Sequence, residues 1–501
     1  MYFRRIFGQI RTVSDIFRKR VIVNASIFTI GAFIQRAAQF FLIPVYTRFL
    51  SPRDYGTFTT IMAMSGLMGA LITFGIPGAI LRYYFDFEND VKRLNSYLTS
   101  NYLFLVIVPG LLTIGLSISG KPLWTGLVHE AIPFSPYVQI ALCATYLTGI
   151  WTMLNSLHQA KQMARAFVYS QIFNFGLGAG VTVILLITLK DKVLGPLIGN
   201  NVAAGITALI LSLGFLHLHI SKKISMADIK KSLAYGLPLI IHPLNTWILY
   251  ASDRLVLAKF VSLAEIGLYS LAFSLSTILA TLAVSFDQAW MPYVFSLYEN
   301  HQRPEQVIIP TTSLYFFLMS SICLIGILFL NEFLTLFAGS AYQEASRYLS
   351  PLLVSGLFIG FYFLVSKPLF YFNKTRLIPF ISGSAALAKL ALNILLIPIF
   401  GTIAAAWTTL GAFSLMVVIG LILGQKAYSI PYPLGKYGIL VFLIIVITVC
   451  NDTGLFKFNG PILFLLKGLI LIGYFGLSYK LLIKDEYGSF MQLLKIRKIY
   501  T

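Results

Sequence analysis

About fourteen apolar runs of roughly 20 residues follow one another along this chain, and no stretch between two of them exceeds about 20 residues. They lie near 25–49, 57–80, 95–118, 137–157, 166–188, 194–218, 235–259, 265–290, 308–331, 348–370, 377–399, 401–424, 435–450 and 461–482. A run of that length is what an α-helix needs to cross a hydrocarbon layer about 30 Å thick. Within lipid, helices satisfy their own backbone groups. Of the 501 residues 57% are hydrophobic and 11% charged, a balance that a soluble core of this size cannot bury. The expected fold is therefore an all-α polytopic membrane protein of about 14 transmembrane helices, with no soluble domain on either face.

The net charge of +20 is distributed in short clusters between the runs, which fits membrane topology and not nucleic-acid binding. With the N-terminus inside, the inner segments hold 26 Lys and Arg and the outer connections 9. That bias is expected to place both termini in the cytoplasm. The basic start "MYFRRIFGQIRTVSDIFRKR" is followed by about 25 apolar residues without a small-residue cleavage site, so this run is expected to remain as the first span. Cys143, Cys323 and Cys450 are far apart within apolar runs, and His217 and His219 have no partnering carboxylates. Neither a disulfide framework nor a metal or cofactor site is expected.

One connector occurs twice. "FLSPRDYGTF" at 49–58 returns as "FVSLAEIGLY" at 260–269, the first copy after span one and the second after span seven. The ends of the spans that follow also match loosely, "ITFGIPGAILRYYF" against "VSFDQAWMPYVFSLY". Two parallel six-helix lobes follow, since six is even and both copies keep one orientation. The expected organisation is a cytoplasmic segment 1–21, an N-lobe 22–218, a basic linker 219–234, a C-lobe 235–424 and a C-terminal helix pair with tail, 425–501. Two readings stand for the linker: a plain basic loop, or a short surface helix with Ile220, Ile224 and Ile229 on one side and its lysines toward the anionic leaflet. In span five "GLGAG" puts Gly176 and Gly180 at GxxxG spacing, which predicts a close helix contact.

The stretches "LIPVYTRFLSPRDYGTF", "LHQAKQMARAFVYSQIFNFGLGAG" and "YGLPLIIHPLNTWILYASDRLVLAKFVSLAEIGLYSLAFSL" resemble the oligosaccharide flippases of bacterial polysaccharide synthesis. These sit in the superfamily of the multidrug and toxin extruders and the lipid II flippase. The resemblance implies alternating access and a polyprenyl-diphosphate-linked oligosaccharide as substrate, moved from the inner to the outer leaflet and passed to polysaccharide polymerase machinery. It implies no enzyme activity. The alternatives are a multidrug extruder on the same fold and a polysaccharide polymerase. Mid-membrane carboxylates would favour the extruder, but span one has none; large outer loops would favour the polymerase, and the connections are short.

Charges within spans supply the candidate substrate-binding residues. At ~1.5 Å per residue, Arg36 lies about 16 Å along span one and Lys389 about 15–20 Å from either end of span eleven. Gln35 and Gln39 flank Arg36, and Ser382, Lys389 and Asn393 share one helix face. Arg254, beside Asp253, stands nearer a span end, while Lys467 is expected to snorkel to the interface. Asn200, Asn201, Asn245 and His242 add polar groups. Cations suit a diphosphate, and amides suit sugars. Arg36 and Lys389 have two readings: lining such a cavity, or bridging helices within the bundle.

Overall fold

Helices account for nearly all of the computed structural model, which describes residues 40–128, 132–300, 303–452 and 461–484 and contains no strand among them. Two units emerge from the packing. One comprises Met1–Leu50 and Thr57–Trp247, the other Ser51–Gly56 and Ile248–Thr501.

The first unit is built on α1 (Phe40–Phe49), most of α2 (Pro52–Ile72), α3 (Ile76–Phe87), α4 (Val91–Ser119), α5 (Lys121–Leu127), α6 (Gln139–Ala160), α7 (Ala164–Thr188), α8 (Leu194–His219), α9 (Met226–Leu239) and the start of α10 (Ile241–Tyr250). Its core joins α3, α4, α6 and α8 through Ile76, Tyr97, Leu98, Met153 and Phe215. The α7–α8 contact is made by Gly178 and Gly199, where a β-carbon on Gly199 would lie 2.1 Å from Thr182 Oγ1 and 2.9 Å from the Gly178 carbonyl oxygen. Gly176 and Gly180, the pair with GxxxG spacing, have no neighbour within 4 Å of a built β-carbon. The close approach is therefore made by the glycine between them, because the spacing shows that two residues share a face and not which face meets a partner.

The second unit holds α11 (Ser252–Leu257), α12 (Leu263–Asn300), α13 (Glu305–Leu328), α14 (Leu330–Phe337), α15 (Ser346–Val365), α16 (Lys367–Tyr371), α17 (Leu377–Phe400), α18 (Thr402–Ala427), α19 (Leu434–Asp452) and α20 (Pro461–Ser478). It also takes the first turn of α2. The central part of each copy of the repeated connector, Ser51–Gly56 and residues 262–267, falls in this unit and caps a helix. Ser51 Oγ accepts from the Asp54 amide while the Asp54 carboxylate accepts from the Ser51 amide and hydroxyl. Likewise Ser262 Oγ accepts from the Glu265 amide at 3.2 Å. The motif is thus a capping-box pattern, Ser-x-x-Asp/Glu, followed two residues later by a glycine.

Eleven helices among the described residues are long and apolar enough to span a membrane, with Phe40–Phe49 and Leu434–Cys450 as shorter apolar helices. The protein is a multi-pass membrane protein. The first expected span is described only from Phe40, and the seventh is not one helix but three: α9, α10 and α11. Pro243 has no N–H for the carbonyl four residues before it, which ends α9 at Leu239, and a second break falls at Ala251.

The basic linker also differs from both sequence readings. Its helix, α9, begins at Met226, capped by Ser225, so Ile220 and Ile224 precede it and only Ile229 is buried on it. Asp228 is buried and receives both arms of Arg93 at 2.5 Å, and Tyr97 Oη lies 2.9 Å from Ser232 Oγ. These contacts dock α9 onto α4. Lys231 stands over the ring of Tyr83 on α3.

Candidate functional site

A cavity of about 800 Å³ lies within the first unit, lined from α1, α2, α3, α6, α7 and α8 and from the Leu239–Pro243 break. Gly66, Gly69 and Ala70 on α2 and Ala144, Thr145, Thr148 and Gly149 on α6 all line it. Its polar groups include the hydroxyls and amides of Ser65, Thr145, Thr148, Thr152, Asn174 and Asn200. No Lys, Arg, Asp, Glu or His is among the described lining residues. Asn174 donates to Thr207 Oγ1 at 3.2 Å, and Trp151, also on the wall, donates to Ser170 Oγ at 2.8 Å. Ser65 Oγ is buried with no hydrogen-bond partner among the described residues.

Of the sequence candidates, Arg36, Gln35 and Gln39 lie outside the described residues. Asn200 is on the cavity wall, while Asn201 donates to the Ile140 carbonyl at 2.8 Å. Three others, Lys389, Arg254 and Asn393, are in the second unit, where each has protein partners.

Lys389, on α17, is fully enclosed. Its ammonium lies 2.7 Å from Asp253 Oδ1 and donates to the Leu249 carbonyl. The other oxygen of Asp253 accepts from the Tyr269 hydroxyl. Arg254, also buried, donates to the Tyr250 carbonyl and to Ser270 Oγ at 3.4 Å, and its guanidinium stacks 4.2 Å from the Phe273 ring centre. Leu249 and Tyr250 are the last two residues of α10. A helix that stops leaves its final carbonyls without intrahelical donors and its negative dipole end exposed. Lys389 and Arg254 cover that end, and the carboxylate beside them balances the lysine. The break at Ala251 and the two cations therefore belong to one arrangement, in which irregular backbone inside a span is satisfied by protein. Asn393, one turn beyond Lys389, accepts from Thr408 Oγ1 on α18.

Two further charge pairs sit inside the second unit. Lys367 meets Asp287 at 2.5 Å, and Lys467 meets Glu332 at 2.5 Å. Lys467 is buried against α14, where its ammonium meets a carboxylate that balances its charge within the protein. Sequence reading could not match these partners, since they are 80 to 136 residues apart; the available signal was that each buried lysine needs a carboxylate.

Solved structures share this architecture. The fold matches that of the lipid II flippase MurJ in an inward closed conformation with a TM-score of 0.74 at 14% identity, covering 91% of this chain and 99% of that one. An inward-facing multidrug resistance MATE transporter of the MOP superfamily matches with a TM-score of 0.64 at 13% identity, over 79% of this chain and 94% of that one. A protein of the Lsg locus of Haemophilus influenzae is 22% identical over 368 residues, 72% of this chain and 87% of its own length, and a membrane protein of the same organism is 23% identical over 372 residues, again 72% and 87%. Residues 21–298, more than half of the sequence, match the polysaccharide biosynthesis protein family, and the chain belongs to that family.

Proposed function

We propose that this protein is a flippase, not an enzyme, that carries a polyprenyl-diphosphate-linked oligosaccharide from the inner to the outer leaflet of the bacterial cytoplasmic membrane by alternating access. The observation that carries the reading is the cavity. A space of about 800 Å³ among membrane-spanning helices, with hydroxyl and amide side chains set in a largely apolar wall, has the room and the hydrogen-bonding groups to receive a sugar headgroup. Membership of a polysaccharide biosynthesis family supports sugar as the cargo. The prenyl tail stays in the bilayer, and the delivered lipid serves polysaccharide polymerase machinery.

In this reading Arg36 meets the diphosphate, helped by Gln35 and Gln39. These glutamines stand seven residues before Leu42 and Tyr46, both of which line the cavity, and seven is a spacing at which helix faces repeat. Lys389, Arg254 and Asn393 contact substrate only in a conformation where their present partnerships open. The extruder alternative is weaker, since the described cavity wall offers no carboxylate to a cationic drug.

The test is mass spectrometry of lipid extracts from cells depleted of the protein, with an impermeant glycosidase reporting the leaflet. Build-up of a completed lipid-linked oligosaccharide protected on the inner side is expected. Absence of such a lipid, together with raised drug sensitivity, would transfer the assignment to the extruder. Single repeats exposed outside but unjoined would indicate a polymerase.

A further inference from the structure

We infer that the connection between α8 and α9, with the first turn of α9, is a docking surface for anionic phospholipid in the leaflet on its side of the membrane. This holds whatever the protein carries.

Its depth is set by α4. The first turns of that helix are polar, with Asn95, Ser96, Thr99, Ser100 and Asn101, and the apolar part of the span begins at Tyr102. The connection is stapled to those polar turns. Thr99 Oγ1 donates to the His219 carbonyl at 2.8 Å and accepts from the Ser221 amide at 3.1 Å. Ser96 Oγ donates to the Lys223 carbonyl at 2.9 Å, and Ser100 Oγ accepts from the Ser225 amide at 2.8 Å. At about 1.5 Å per residue, these three hydroxyl residues stand within about 10 Å of Tyr102 along the helix. The connection therefore lies at headgroup depth, where the hydrocarbon layer gives way to phosphate.

Its side chains suit that depth. With these backbone groups bonded to α4, Ile220, Ile224 and Met226 are 64%, 60% and 64% exposed. Lys222, Lys223 and Lys230 are exposed as well, and none of the three forms an ion pair among the described residues. The carboxylate in this stretch, Asp228, is buried and held by Arg93. Apolar side chains interleaved with lysines match a surface that is apolar below and anionic above. The isoleucines and methionine enter the acyl boundary, and the ammonium groups reach the phosphates. A zwitterionic leaflet would cover the apolar groups but leave the cluster of positive charge without a counterpart. The chain's own first segment, "MYFRRIFGQIRTVSDIFRKR", is basic and makes a poor occupant. Because the backbone is already fixed, lipid meets a preformed surface and little ordering is lost on contact. From this anchor α9 runs to Leu239 on the cavity wall, so the leaflet holds the far end of an element that helps to shape the cavity.

The experiment uses the full chain with Cys143, Cys323 and Cys450 replaced and Ile224→Cys carrying a bimane fluorophore. It is reconstituted in nanodiscs of phosphatidylcholine, alone or mixed with phosphatidylglycerol. Quenching by lipid with a nitroxide at a shallow acyl position reports contact with the leaflet. Phosphatidylglycerol should raise that quenching at least about twofold, and about 1 M salt, which shortens the screening length to about 3 Å, should remove the gain. Replacing Lys222, Lys223 and Lys230 together by Gln should remove it too. Equal quenching in both discs would overturn the preference for anionic lipid. Absence of lipid quenching would overturn the docking surface itself, with soluble iodide distinguishing a label in water, which it quenches, from one covered by protein. The salt comparison keeps all three lysines, so a poorly folding variant does not decide the outcome.

Discussion

Gly56 and Gly267, 211 residues apart in sequence, stand backbone against backbone. A β-carbon on Gly56 would fall 1.7 Å from the Leu263 carbonyl oxygen, and one on Gly267 would fall 1.9 Å from that of Pro52. Leu263 precedes Gly267 by four residues, as Pro52 precedes Gly56, so the contact is reciprocal. The two copies of the connector therefore pack on each other, and each needs glycine because its partner's backbone occupies the space of a side chain. Their serines and carboxylates cap the two helices that meet there.

Gly56→Ala and Gly267→Ala should each destabilise the protein by about 2 kcal/mol or more, through forced separation of two backbones. Gly115→Ala is the control, since nothing lies within 4 Å of its built β-carbon. Thermal unfolding in detergent, followed by intrinsic fluorescence, would read the difference. Equal melting temperatures for all three variants would disprove the contact.

Lys389→Met or Asp253→Asn alone should cost about 3–5 kcal/mol, as removal of one partner from a buried pair does. The double variant should recover much of that loss, because neither member of the pair is left as a buried charge without its partner. Polysaccharide export measured alongside stability separates two roles. If the double variant is stable and exports normally, Lys389 acts only in the fold; if it is stable and export fails, the lysine acts in transport as well.

At the α9 docking site the two partners of the ion pair are unequal. Asp228 is buried, whereas the Arg93 side chain is 41% exposed. Arg93→Ala leaves a buried carboxylate unpaired and should destabilise by about 1–3 kcal/mol, more than Asp228→Ala, which leaves a cation with access to water. Hydrogen exchange over Met226–Leu239 should speed up in that order. The reverse order would mean that the Asp228 carboxylate acts mainly on the dipole of α9, in whose first turn it lies.

The expected topology can be checked in a background lacking Cys143, Cys323 and Cys450. A cysteine at Thr125, exposed after α5 begins, should react with an impermeant maleimide in intact cells, and one at the exposed Lys223 only after the membrane is opened. Labelling in the opposite pattern would invert the orientation read from the lysine and arginine counts.

Hydropathy alone located most of the long helices, because a run of 20 apolar side chains has one stable arrangement in lipid whatever its neighbours do. The repeated connector was legible for a similar reason: Ser-x-x-Asp/Glu caps a helix through contacts within four residues. The break of the seventh span was less visible. Pro243 marks one end, but nothing local indicates the stop at Tyr250, where the freed carbonyls are covered by Arg254 nearby and by Lys389 from 140 residues away.

The candidate site was only partly visible. Asn200 stood out as an amide in an apolar run, and it lines the cavity. Ser65, Thr145 and Thr152 did not, since small hydroxyl residues are equally at home in a helix-packing face. Likewise, Gly176 and Gly180 carried the recognised spacing while Gly178 made the contact.

By itself, then, the sequence determined the all-helical membrane class, most of the spans and the duplicated capping motif, each set by interactions within one helix or between a helix and its solvent. Only the tertiary structure decided which face of each helix is turned to a neighbour. That choice paired Lys389 with Asp253, Lys467 with Glu332 and Gly56 with Gly267, and it left Ser65 facing a cavity. Such outcomes depend on helices distant in sequence meeting at one depth, and pairing energies over those separations leave no periodic trace in the chain.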